Sequence, residues 1–99
     1  MLIKAQSSTA AEALELVSML QARFVEGLET VASACGQNVG FEETKWLRDG
    51  GQHGGGNRYT LSESDLFNRA SVNVSQVHYY DLPEKKLGSA TAISTIIHP

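Results

Sequence analysis

The chain has 99 residues, with eight basic and eleven acidic side chains giving a net charge of −3, a size that holds one domain or part of a larger one. Hydrophobic residues make up 41% and charged residues 19%, which argues against disorder, and no basic run supplies the footprint of a nucleic-acid or anionic-membrane partner. Cys35 is the only cysteine, so an internal disulfide is excluded, and no apolar run reaches the length of a bilayer span; the expectation is a soluble cytoplasmic protein.

The first predicted element is a helix over 9–35. Thr9 and Glu12 have the spacing of a capping box, and Gly36 is placed to stop the helix in a left-handed turn. Leu14, Val17, Leu20, Phe24, Leu28 and Val31 recur every three or four residues and define one apolar face. Such a stripe requires a cover, and a sheet is expected because the residues downstream of the helix are patterned as strands. Phe41–Arg48 alternates imperfectly as a strand, with Glu43, Lys45 and Leu47 on one side and Trp46 on the other. Residues 49–57 contain five glycines and are expected to form a loop, followed by a short strand over 58–62 and a polar break over 62–65.

Residues 70–80 form the next strand, where Val72 and Val74 alternate with Ser71, Asn73 and Ser75. The step at Gln76 and Val77 reverses that pattern and predicts a bulge. A connector over 82–87, one helical turn begun by Pro83, leads to a last strand over 89–98. That strand is β-branched and hydrophobic on both sides, the pattern of an interior strand.

Alternation puts Ala90, Ala92, Ser94, Ile96 and His98 on one side of the last strand. Ser94 and His98 then stand roughly 13 Å apart over small residues, room enough for a large flat ligand. The plain alternative is a core serine and a fraying terminal histidine. In the glycine-rich stretch, Gly54, Gly55 and Gly56 let a backbone approach a ligand closely, and Arg58 beside them can fork onto a carboxylate. The alternative there is a flexible surface loop. His53, His78 and His98 lack any metal-ligand spacing, so no metal site is expected.

The order of these pieces resembles the oxygen-dependent coproporphyrinogen III oxidase family. The shared features are Trp46-Leu47-Arg48, Gly56-Asn57-Arg58, Val72 to Ser75, Val77-His78, Leu82-Pro83 and Ser94 to Pro99. The resemblance implies an α+β fold, with a long N-terminal helix packed on an antiparallel β-sheet that is part of a large helix-flanked sheet, and a homodimer. It implies oxidative decarboxylation of two propionates of coproporphyrinogen III to vinyl groups, with molecular oxygen as co-substrate and no organic cofactor or metal. Carried over by position, Ser94 would be a substrate contact, His98 part of the site wall, and Arg58 with Gly54, Gly55 and Gly56 part of the cavity. No catalytic residue is expected within the chain, because the family's catalytic segment would begin past Pro99, so these 99 residues are expected to be inactive alone. The competing expectation is a non-catalytic tetrapyrrole- or protein-binding module.

Overall fold

The structure, a computed structural model, describes residues 2–36, 40–61, 69–82, 84 and 88–98. A helix, α1 (Ser8–Ala34), is followed by β1 (Glu42–Leu47), a 3-10 turn over Asp49–Gly51, β2 (Gly54–Leu61), β3 (Arg69–His78) and β4 (Ser89–His98). The strands form one antiparallel sheet in the order β1-β2-β3-β4, an uninterrupted meander. The architecture is therefore α+β, with α1 lying across β3 and β4 on one side of the sheet. The expected polar break over 62–65, and Pro83 with 85–87 of the expected connector, lie outside the described residues.

The helix is capped two residues before the expected position. Ser7, extended at φ −71° and ψ 146°, is the N-cap, and its hydroxyl accepts from the Ala10 amide at 3.0 Å. The proposed Thr9–Glu12 capping box is thus displaced by an earlier cap. At the other end Gly36 takes φ +80°, the left-handed conformation that glycine adopts without steric cost.

The buried face of α1 is rotated from the predicted stripe. Ala10, Gln21, Val25 and Ala32 are buried, whereas Phe24 is 46% and Val31 52% exposed. Small side chains explain the rotation. Ala32 meets Leu61 and Ala70 in the core, with Leu28 and Phe41 packed around them, so the helix comes close to the sheet where it offers least bulk.

Two buried glutamines fasten the layers. Gln21 donates its Nε2 to the carbonyls of Asn57 at 2.8 Å and Val72 at 3.0 Å. Gln76 donates to the Ala10 carbonyl at 2.8 Å and to the Thr91 hydroxyl at 2.9 Å, and its Oε1 accepts from the Ala5 amide at 3.3 Å. These bonds dispose of the predicted bulge. β3 pairs without interruption along both neighbours, Gln76 opposite Gly55 and Thr91, and Val72, Val74, Gln76 and His78 all turn toward the helix layer. A polar residue on the buried face is satisfied by the helix start, so the strand has no need to shift register.

Two further expectations change. β2 starts at Gly54, inside the stretch read as a loop, because Gly54, Gly55 and Gly56 pair with Val77, Gln76 and Ser75. β4, patterned like an interior strand, is an edge strand of the described sheet, and Ile96 and Ile97 are exposed on it.

Candidate functional site

The pairing register sorts the sheet's side chains. Val72 and Val74 are buried under α1, so the odd-numbered positions of β3, and their partners, belong to the opposite face. Among the described residues no element covers that face. One row across it runs Thr44, Arg58, Asn73 and Ser94, each directly opposite the next. Neighbouring strands lie about 4.8 Å apart, so Arg58 and Ser94 are roughly 10 Å apart with Asn73 between them. Arg58 and Ser94 are exposed.

The next row holds Trp46, Gly56, Ser75 and Ala92. The indole of Trp46 lies over Gly56: a Cβ there would stand 2.5 Å from the ring and 2.5 Å from the Val74 carbonyl. From this seat Trp46 Nε1 donates to Asn73 Oδ1 at 3.2 Å. Asn73 carries no site reading in the sequence, and Trp46 reads there as a packing aromatic rather than one that stacks on a ligand ring. The Trp46-x-Arg48 and Val72-to-Ser75 segments contain them, but only the register shows that they meet.

The residues singled out from the sequence are thereby divided. Arg58, Gly56 and Ser94 share the bare face. Gly55 lies on the helix side, and Gly54 takes φ +90° where β2 begins, with its missing Cβ position 2.1 Å from the Gln76 carbonyl. These glycines serve close strand packing. His98 is the last residue of β4, opposite Arg69.

The helix side has its own feature. A cavity of about 600 Å³ lies between α1, the N-terminal segment and the β1–β2 edge, lined by Leu2, Leu14, Gln21, Leu47, Asn57 and Tyr59 among others. It exists because α1 covers β3 and β4, leaving the small positions Gly55 and Asn57 unfilled. Asn57 Oδ1 is buried there without a hydrogen-bond partner. On the same side the Tyr59 hydroxyl donates to Glu43; this bond holds the Glu43 carboxyl below its ordinary value, with the Lys45 charge assisting against desolvation.

A third group gathers where the β1–β2 turn meets the end of β3. The buried His53 ring places Nδ1 2.7 Å from Asp49 Oδ2 and Nε2 3.0 Å from Asp81 Oδ1. Ionised carboxylates only accept, so this pair of neighbours favours the ring form protonated on both nitrogens. The Asp49 bond raises its pKa most; burial opposes this and Asp81 adds to it. Tyr79 lies against the same ring at 5.3 Å between centroids, and His78 Nε2 donates to the Ile3 carbonyl at 2.7 Å. The segment read as a flexible loop is therefore firmly held.

Fold and face together define a helix-backed antiparallel layer whose bare side presents hydrogen-bond donors. The chain is similar to oxygen-dependent coproporphyrinogen-III oxidases of Prochlorococcus marinus. It is 32% identical to that of subspecies pastoris over 94 residues, covering 85% of this chain and 26% of the relative. It is 32% identical to that of another strain over 103 residues, covering 94% of this chain and 28% of the relative. The chain thus spans about a quarter of the length of the curated relatives it matches. No family model and no solved structure matches it. Among the described residues no helix is long and apolar enough to cross a membrane.

Proposed function

We propose that this chain is the substrate-holding layer of an oxygen-dependent coproporphyrinogen III oxidase, with the tetrapyrrole lying on the bare face of the sheet. The observation that carries the reading is the row Arg58–Asn73–Ser94, which lines up a guanidinium, a carboxamide and a hydroxyl on the uncovered side. A substrate with four propionates needs cationic and neutral donors beside a broad floor. The small residues Ser75 and Ala92 in the adjoining row, beside the Trp46 indole seated on Gly56, give that floor.

The reaction converts each of two propionates to a vinyl group. The bond to the carboxyl carbon breaks and releases carbon dioxide, the side-chain carbon bonded to the pyrrole loses one hydrogen with its electron pair, and those two electrons with two protons reduce molecular oxygen to hydrogen peroxide. The row supplies donors that hold and orient carboxylates. In this reading, which takes its site positions from the family resemblance of the sequence, Ser94 is a substrate contact, His98 part of the wall of the site, and Arg58 the partner of a propionate.

The experiment is a titration of the chain with coproporphyrin III, the oxidised and strongly coloured form of the substrate skeleton, followed through its main visible band. Binding weakened by Arg58→Ala and Ser94→Ala is the expected result. Incubation with coproporphyrinogen III and oxygen is expected to give no divinyl product. A flat titration overturns the reading, and turnover by the chain overturns its restriction to substrate holding.

A further inference from the structure

Trp46 and Asn73 lie on the bare face, and their hydrogen bond is directional. An indole N–H is a donor with no acceptor capacity, so Trp46 Nε1 takes the Oδ1 of Asn73 and fixes which end of the carboxamide faces it. The Nδ2 end, which carries two protons, is left for other partners. Among the described residues no side chain accepts from it. To either side across the strands stand Arg58 and Ser94. The row thus contains no carboxylate, and among the described residues the nearest on this face, Glu42, lies one row away opposite Thr60.

We propose that Asn73 is a carboxylate-reading residue of the bare face and that Trp46 is the positioning residue that turns its amide protons toward the ligand. The inference rests on the tetrapyrrole reading and adds to it the residues that choose a propionate-bearing ring system over an uncharged one. Gly56 belongs to the same device, because a side chain there would unseat the indole. Arg58 supplies the charge, and Asn73 supplies a fixed neutral donor beside it. A flat ring laid on Ser75 and Ala92, beside the indole that covers Gly56, would bring a propionate within reach of both.

The test is binding of coproporphyrin III by the full chain and by four variants: Asn73→Asp, Asn73→Ser, Trp46→Phe and the double variant Asn73→Ser with Trp46→Phe. Asn73→Asp replaces the donor by a like charge and is expected to weaken binding at least roughly tenfold; Asn73→Ser, with its shorter side chain, is expected to weaken it roughly threefold. Trp46→Phe keeps a ring over Gly56 but removes the N–H, and is expected to weaken binding roughly threefold in the wild type. In the Asn73→Ser background it should have no further effect, since the indole acts through Asn73.

A structural role of Trp46 alone would instead give equal losses in both backgrounds, which overturns the positioning assignment. Wild-type binding that Asn73→Asp and Asn73→Ser leave unchanged overturns the role of Asn73 while the tetrapyrrole reading stands. Absence of any wild-type binding overturns both. Should Asn73→Asp fail to fold, Asn73→Ser decides the matter alone.

Discussion

His53 and Asp81 are joined at the end of the sheet by a hydrogen bond of 3.0 Å, while the opposite nitrogen of the same ring is bonded to Asp49 at 2.7 Å. This ring ties the β1–β2 turn to the end of β3. His78 and Tyr79 are the other titratable side chains against it. The Asp49 bond, opposed by burial and helped by Asp81, holds the His53 pKa above its ordinary value near 6.5. A raised folded-state pKa means that the clamp's stabilisation is complete below about pH 6.5 and is lost as pH rises through the folded-state value. The melting temperature is therefore expected to fall from about pH 6 to about pH 9, and His53→Gln should flatten that decline. A wild-type profile already flat over this range contradicts the clamp. Asp81 acts on the acid side: burial pushes its carboxyl up, yet the bond from His53 brings it below the ordinary value, so its contribution is lost as pH falls through the folded-state value.

Gln21 gives a second prediction. Its amide is 4% exposed and makes two hydrogen bonds, each to a strand carbonyl. Gln21→Met keeps the volume and removes both donors. With about 1 kcal/mol per net hydrogen bond, a loss of about 2 kcal/mol is expected. A lower urea midpoint at unchanged slope checks it. An unshifted midpoint would mean that the two carbonyls need no partner from the helix.

Gln21 and Gln76 also mark where sequence legibility ends. The helix and the strands were readable because apolar residues at a 3.6-residue or two-residue period leave few alternatives. The rotation of α1 was not, because it depends on the close approach of Ala32 to Leu61 and Ala70 and on two backbone carbonyls of β2 and β3 that only the folded sheet brings to Gln21. The run Gly54–Gly56 carries no side-chain pattern, so nothing local announced that it is a strand; its assignment is made by pairing with Trp46 and Ser75 across the sheet. The same holds for the site. That Ser94 lies on one side of its strand is a consequence of alternation, whereas its place beside Asn73 and Arg58 requires the register of three strands. Residue types chosen for tertiary partners are invisible until those partners are placed.

The helix start separates two residues that read alike in the sequence. Ser7 caps the Ala10 amide, whereas Thr9 is already inside the helix and exposed. Ser7→Ala is expected to cost about 1 kcal/mol in unfolding free energy. Thr9→Ala should stay within about 0.5 kcal/mol of the wild type, as surface substitutions do. Denaturant unfolding of the two variants side by side checks this, and the reverse order would return the cap to Thr9.

Gly56 and Gly27 give opposite outcomes for the same substitution. At Gly56 a Cβ would stand 2.5 Å from both the Trp46 ring and the Val74 carbonyl, and the carbonyl belongs to a paired strand that cannot yield cheaply. Gly56→Ala is expected to destabilise by about 1–3 kcal/mol, as overpacking does. It should also push the indole outward, and because Trp46 is the only tryptophan, a red shift of its emission reports that movement directly. At Gly27, inside α1, a Cβ meets nothing within 4 Å. Alanine there removes backbone freedom from the unfolded chain and improves helix propensity, so Gly27→Ala is expected to stabilise by about 0.5–1 kcal/mol with no spectral change. If both substitutions were neutral, neither the seat of the indole nor the exposed course of the helix would be as described. If Gly56→Ala lowered stability without moving the emission, the strand contact alone would account for the glycine, and the ring would have another support.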